Sequence, residues 1–200
     1  MCLYKFILFF VINVFVMTAH AQEQVVHRRP AQALMANHFR VEVSYISWKE
    51  FADVEPAATQ PKTYSDFIGN ALTGEYEHYF LPRWGAVAEG SLMFGQANLG
   101  AIPNYQAGNV RWWGIRASYR GVYRFSTQVA SSAGVLVLNR QIDYPSQTGV
   151  TDVKSGAQVN YGLIADLTYQ LTPSWLIRQE IGGLFVKAST LWSIGLGYRF

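Results

Sequence analysis

The sequence predicts an all-β protein, an eight-stranded antiparallel up-and-down transmembrane β-barrel. Three observations carry that reading. The 200 residues are 50% hydrophobic and 14% charged, yet the mean hydropathy is only +0.06, so polar and apolar positions must be finely interleaved. Period-two alternation recurs in segments as long as a membrane-crossing strand. Short and long connections alternate between those segments. Soluble domains usually carry about 25% charged residues, and disorder needs low hydrophobicity with high charge. The composition disfavours both. A net charge of +3, spread along the chain, leaves no footprint for nucleic acid.

From the N terminus, the first segment is an address. Met1–Ala21 reads as a cleaved signal peptide: Lys5 supplies the positive region, Phe6 to Met17 is apolar apart from Asn13, and Ala19-His20-Ala21 gives a small-x-small cleavage pattern. An uncleaved anchor helix would need roughly 20 apolar residues, and this run is shorter. Cleavage removes Cys2, the only cysteine, and with it any disulfide or thiol chemistry. Residues 22–36 contain Pro30 and no apolar stripe, so a flexible periplasmic tail is expected there. Residues 37–200 are expected to form the barrel.

The strands follow in order. Phe39, Val41, Val43 and Tyr45 alternate with His38, Arg40, Glu42 and Ser44. Two less regular strands are expected at about 67–80 and 84–96. In Arg111–Phe125, Trp113, Ile115, Ala117, Tyr119 and Tyr123 oppose Arg116, Ser118, Arg120 and Arg124. A fifth strand falls at about 129–140. In Ala157–Leu171, Val159, Tyr161, Leu163, Leu167 and Tyr169 oppose Asn160, Asp166 and Thr168. The seventh lies at about 175–187. The last, Thr190–Phe200, is the clearest: Trp192, Ile194, Leu196, Tyr198 and Phe200 oppose Ser193, Gly195, Gly197 and Arg199.

Leu81-Pro82-Arg83, Ser126-Thr127-Gln128 and Thr172-Pro173-Ser174 read as tight turns, with proline where no ladder donor is needed. The connections at 49–64, 97–109 and 141–156 are long and polar, and the one near Lys187–Ser189 is short. Short periplasmic turns and longer outer loops are the pattern of an outer-membrane barrel. Hydrocarbon cannot satisfy a sheet edge, so a spanning sheet must close on itself. Tyr76, Phe80, Trp84, Tyr123, Phe125, Tyr169, Trp175, Tyr198 and Phe200 fall near turn ends, and Trp113 and Trp192 nearer loop ends. They make two interfacial girdles.

If the aromatic parity faces lipid, the opposite parity encloses charge. Arg40, Arg116, Arg120, Arg124, Arg178 and Arg199 then meet Glu42, Glu75, Glu77, Glu89, Asp166 and Glu180, six against six. Arginine suits such a lumen because its planar fork binds carboxylates bidentately. A networked charge is tolerable there and an isolated one is not. A soluble lipocalin-like barrel would instead scatter these charges over its surface. Hairpin spacing sets Glu75 opposite Glu89 and Asp166 opposite Glu180, an unfavourable pairing unless arginine intervenes. Paired carboxylates also suit acid–base catalysis. A filled eight-stranded lumen gives substrate no access, so the twelve residues are expected to form a structural salt-bridge network.

The ending Trp192-Ser193-Ile194-Gly195-Leu196-Gly197-Tyr198-Arg199-Phe200 resembles the closing strand of small bacterial outer-membrane barrels of the OmpX/OmpA transmembrane-domain type. The resemblance implies recognition by the outer-membrane assembly machinery, with Trp192, Ile194, Leu196, Tyr198 and Phe200 as the signal. It also implies surroundings of outer-membrane lipid and lipopolysaccharide. Two enzyme types share the architecture. Barrels resembling lipid A deacylases need His and Ser together on a lipid-facing strand. His27 lies in the tail, His38 faces inward, and His78 faces outward with no serine two residues away. Barrels resembling lipid A palmitoyltransferases want an amphipathic helix before the barrel, which residues 22–36 do not offer. No three metal ligands share a face, and no cofactor is expected.

The expected function is a non-enzymatic, monomeric barrel with an essentially closed lumen, serving envelope structure or surface interaction. Asp53, Glu55, Lys62, Asp143, Tyr144 and Asp152 mark the loops that would meet an extracellular ligand, without a binding motif. The alternatives are a narrow channel for small hydrophobic solutes or ions and a lipid A-modifying barrel enzyme.

Overall fold

Strand formation follows from the alternation. With one face bulky and the other small or charged, a period of two separates the two sets cleanly, whereas a helix would mix them. The computed structural model describes residues 37–52, 63–98, 109–143, 158–186 and 189–200. They form β1 (His38–Ala52), β2 (Thr63–Tyr79), β3 (Trp84–Asn98), β4 (Asn109–Arg124), β5 (Val129–Asp143), β6 (Gln158–Gln170), β7 (Trp175–Leu184) and β8 (Ser189–Arg199). Each strand pairs antiparallel with its chain neighbour, and β8 pairs with β1, closing the barrel.

The register sets the barrel's width. Following paired residues once around, from His38 through Glu77, Val87, Arg120, Gly134, Ile164, Gly182 and Leu191, returns to Trp48, ten residues further along β1. Eight strands with that stagger tilt by about 40° and leave an interior that side chains can fill.

Several expected boundaries move outward. Residues 49–52 belong to β1 and 63–66 to β2, although the sequence reading placed 49–64 in a loop and began the second strand near 67. Ala97 and Asn98 extend β3, Asn109 opens β4, and residues 141–143 extend β5, so Asp143 is a strand residue. Polar composition misled there, because the loop-side strand ends carry polar residues on their outer face, among them Lys49, Asp66, Asn98, Arg111 and Asp143. Conversely, β7 ends at Leu184, short of 187. The expected leader and tail (1–36) and the expected loop residues Asp53, Glu55, Lys62, Tyr144 and Asp152 lie outside the described residues.

The outer face is apolar and open. Tyr119, Leu163 and Val135 are each more than half exposed, while the alternate positions of the same strands are buried. Leu167 and Val129 depart from this rule; both share the outward parity and are covered. Aromatic pairs ring the turn end, with Trp84 against Tyr123 at 4.7 Å and Trp175 against Tyr198 at 5.1 Å.

Candidate functional site

The inward side chains sort into layers along the strands. Leaving the turn end, β1 presents Arg40, Glu42 and Ser44, then Ile46 and Trp48, then Glu50. β2 presents Glu77, Glu75 and Thr73, then Ala71 and Phe67. β5 runs from Ser132 to Leu136 and Leu138, and β8 from Ser193 to Leu191. A polar half therefore lies toward the turns and an apolar half toward the loops.

Three arginines organise the polar half. Arg120 reaches Glu89 at 2.6 Å, Asp166 at 2.5 Å and Glu75 at 3.2 Å. Arg178 reaches Glu75 at 2.5 Å, Glu42 at 2.9 Å and Glu89 at 2.9 Å. Arg116 donates to Glu89 at 2.6 Å and also to Glu180. Arg40 donates to Glu75. Glu75 is paired in register with Glu89, and Asp166 with Glu180. The guanidinium groups lie between these like charges, which makes the facing carboxylates tolerable. Hydroxyls complete the shell: Ser91 donates to Glu89 at 3.0 Å, Ser193 to Glu180 at 3.1 Å, and Ser132 to Asp166. Gly195 is part of this fit, since a Cβ there would fall 2.7 Å from the Glu42 carboxyl carbon.

The turn-side mouth is arranged differently. Tyr79 donates its hydroxyl to Glu77 at 2.5 Å, and Arg199 reaches Glu77 at 3.5 Å and Gln170 at 2.8 Å. Arg124 takes no part in the described ion pairs. Its guanidinium lies 3.8 Å over the Tyr79 ring, a cation–π contact where a carboxylate was expected. At the end of the barrel, half-exposed, it can use a ring face and water in place of an acid.

Sequence reasoning missed the apolar half and a second ionic group above it. Trp48 stacks on Phe67 at 4.8 Å and meets Trp112 edge-on at 4.7 Å. Met93, Leu136, Leu138, Ile164, Leu184 and Leu191 join the same buried cluster. Trp112 donates its indole N–H to the Ile68 carbonyl at 3.2 Å. Glycine at position 69 makes room for it, since a Cβ there would stand 2.6 Å from the indole. Beyond this cluster Glu50 accepts from Arg140, from Trp48 at 3.1 Å and from Asn160 at 3.4 Å. The available signal was Trp112-Trp113: on a strand, adjacent tryptophans cannot both face lipid.

The terminal residues Ile194, Leu196, Tyr198 and Phe200 stand exposed on the outer face of β8, and Trp192 is half-covered beside Tyr45 at 6.1 Å. His78 also faces outward, its Nδ1 2.6 Å from the Asn37 side-chain oxygen. Among the described residues no group of three His, Cys, Asp or Glu side chains could hold a metal ion.

No protein-family model matches the chain, and no curated protein matches it. Solved structures do. The outer membrane protein OprG from Pseudomonas aeruginosa aligns with a TM-score of 0.53 at 13% identity, over 83% of this chain and 97% of that one. Ail, the attachment invasion locus protein of Yersinia pestis, solved with the heparin analogue sucrose octasulfate, aligns with a TM-score of 0.49 at 14% identity, over 83% of this chain and 100% of that one. Neisserial surface protein A aligns with a TM-score of 0.44 at 14% identity, over 80% and 95%. The shared property is the fold. This chain has a closed antiparallel eight-stranded barrel, the fold it shares with OprG.

Proposed function

We propose that this protein is a non-enzymatic barrel of the bacterial outer membrane, closed through its lumen, serving envelope structure or surface interaction through its loops. The observation that carries the reading is the double filling of the lumen. A salt-bridged layer around Arg116, Arg120 and Arg178 lies beneath an aromatic layer of Trp48, Phe67 and Trp112, all buried. An eight-stranded barrel has room for side chains or one small ligand, and here side chains occupy it.

The outer face supports the membrane assignment. Exposed apolar patches of this extent mark a membrane or partner surface, and closure leaves no edge in hydrocarbon. Ten residues separate Trp113 from Tyr123 on β4. At about 3.4 Å per residue and the barrel's tilt they span about 25 Å, the height of an outer-membrane apolar band. The partners of this reading are outer-membrane lipid and lipopolysaccharide, the assembly machinery acting on Trp192, Ile194, Leu196, Tyr198 and Phe200, and a ligand of the loops. The barrel works as a monomer and without a cofactor. Among the described residues His78 is engaged by Asn37 and not by a serine, which supports a bland interfacial role over a deacylase-like one.

Planar bilayers test the closed lumen. The expected result is negligible current from the native barrel. Steady conductance that rises when Arg120 or Glu89 is truncated would favour the narrow channel. Lipid A of changed mass on expression would favour the enzyme.

A further inference from the structure

We propose that the salt-bridged layer of the lumen binds one monovalent cation, seated between Glu42 and Ser44 on β1. The inference rests on the filled lumen argued above and adds a binding site inside it.

Contact defines the ionic group. Arg40, Arg116, Arg120 and Arg178 are joined to one another through Glu42, Glu75, Glu89, Asp166 and Glu180, and all of these side chains are buried. Among the described residues, four guanidiniums therefore face five carboxylates. The balance of six against six read from the strands fails because three of its members stand apart at the turn-side rim. Arg124 lies there over the Tyr79 ring, and Arg199 is engaged by Glu77 and Gln170. Half-exposed, Arg124 can be hydrated, whereas the fifth carboxylate is enclosed. Toward the loops the layer is bounded by Ile46, Leu136 and Leu191, all buried and apolar. A buried charge without a partner is strongly unfavourable.

Hydrogen bonding shows where a further positive charge belongs. Glu75, Glu89, Asp166 and Glu180 each accept from two or more donors. Glu42 accepts from one, Arg178, at 2.9 Å on its Oε1, and its Oε2 has no partner among the described residues. The Ser44 hydroxyl, next along the same inward face, is likewise buried and unpartnered there. Both side chains converge over Gly195, which is paired in register with Ser44. A Cβ built on that glycine would fall 2.7 Å from the Glu42 carboxyl carbon and 2.8 Å from the Ser44 Cβ. A charged and a neutral oxygen side by side suit a hard cation, which takes oxygen ligands. One positive charge brings the layer to five against five, and a divalent ion would overshoot.

The test is urea unfolding of the barrel in phosphatidylcholine vesicles, in sodium chloride and in choline chloride of equal ionic strength. Choline is too bulky to enter the layer. The native midpoint should be higher in sodium and should climb to a plateau with sodium concentration, as a ligand of the folded state requires. Glu42→Gln keeps the shape and removes the fifth negative charge, so its midpoint should be the same in both salts. Ser44→Ala removes one oxygen and should raise the sodium needed for half the effect about ten-fold. Asp66→Asn, the same change of charge on the exposed outer face, should respond like the native protein. Equal native midpoints in the two salts overturn the proposal, and are the result if a proton or water meets Glu42 instead. A sodium response that survives in Glu42→Gln, is unaltered in Ser44→Ala or vanishes in Asp66→Asn overturns it as well. Steady current from the native barrel in planar bilayers, whichever salt is used, would overturn the filled-lumen reading instead.

Discussion

Arg120 shows at residue scale why this lumen uses arginine. Its single guanidinium touches Glu75, Glu89 and Asp166, carboxylates contributed by three different strands. Removing one member of a buried ionic group leaves the others uncompensated, at a cost of about 3–5 kcal/mol. Arg120→Met should therefore lower the unfolding free energy of the barrel in lipid vesicles by that amount, read as a lower urea midpoint. Arg120→Lys should recover only a fraction, because an ammonium lacks the planar fork that serves several carboxylates together. Full recovery by lysine would mean that charge alone, without geometry, holds the network. The arginines, the carboxylates and two of their facing pairs were legible in the sequence, since spacing along hairpins sets register. Their individual partners were not. Arg178 meets Glu42 across β8, and Arg116 meets Glu180 across the lumen, contacts that only closure of the barrel creates.

At the scale of elements, the loop-side half of the lumen behaves as a packed core. Trp112 on β4 touches Trp48 and Phe67 on strands β1 and β2. Trp112→Ala should cost about 3–5 kcal/mol, as large-to-small changes in cores do, read again as a shift of the urea midpoint. Bilayer current should stay negligible in that variant, because the salt-bridged layer beneath is untouched; a new current would show that the aromatic layer alone seals the lumen. β8 carries a different expectation. Its outward row ends on exposed Phe200, and Phe200→Ala should reduce the barrel recovered from outer membranes while leaving refolding in detergent unchanged. Equal loss in both assays would make the residue a packing group and not an assembly signal.

At the scale of the whole molecule, the bilayer is the solvent that decides which substitutions matter. Val135 lies mid-strand among Tyr119 and Leu163, whereas Ile68 stands two residues from the Lys49–Asp66 pair. Arginine on a lipid face costs about 2–4 kcal/mol at mid-depth and about 0–1 kcal/mol near the interface. Val135→Arg should thus destabilise strongly and Ile68→Arg weakly in vesicles. Equal costs at the two positions would place the membrane elsewhere on the barrel.

Period-two alternation, turn residues and connection lengths determined by themselves the strand number, the antiparallel order and the outward face, because each is a property of a strand or of neighbouring strands. Tertiary closure alone decided what fills the interior. Alternation along β4 turns Trp113 outward and so leaves Trp112 inward, but it cannot say what Trp112 meets there. The ten-residue stagger supplies the answer, bringing Trp48 of β1 level with the upper strands and leaving Arg124 at the rim beside Tyr79.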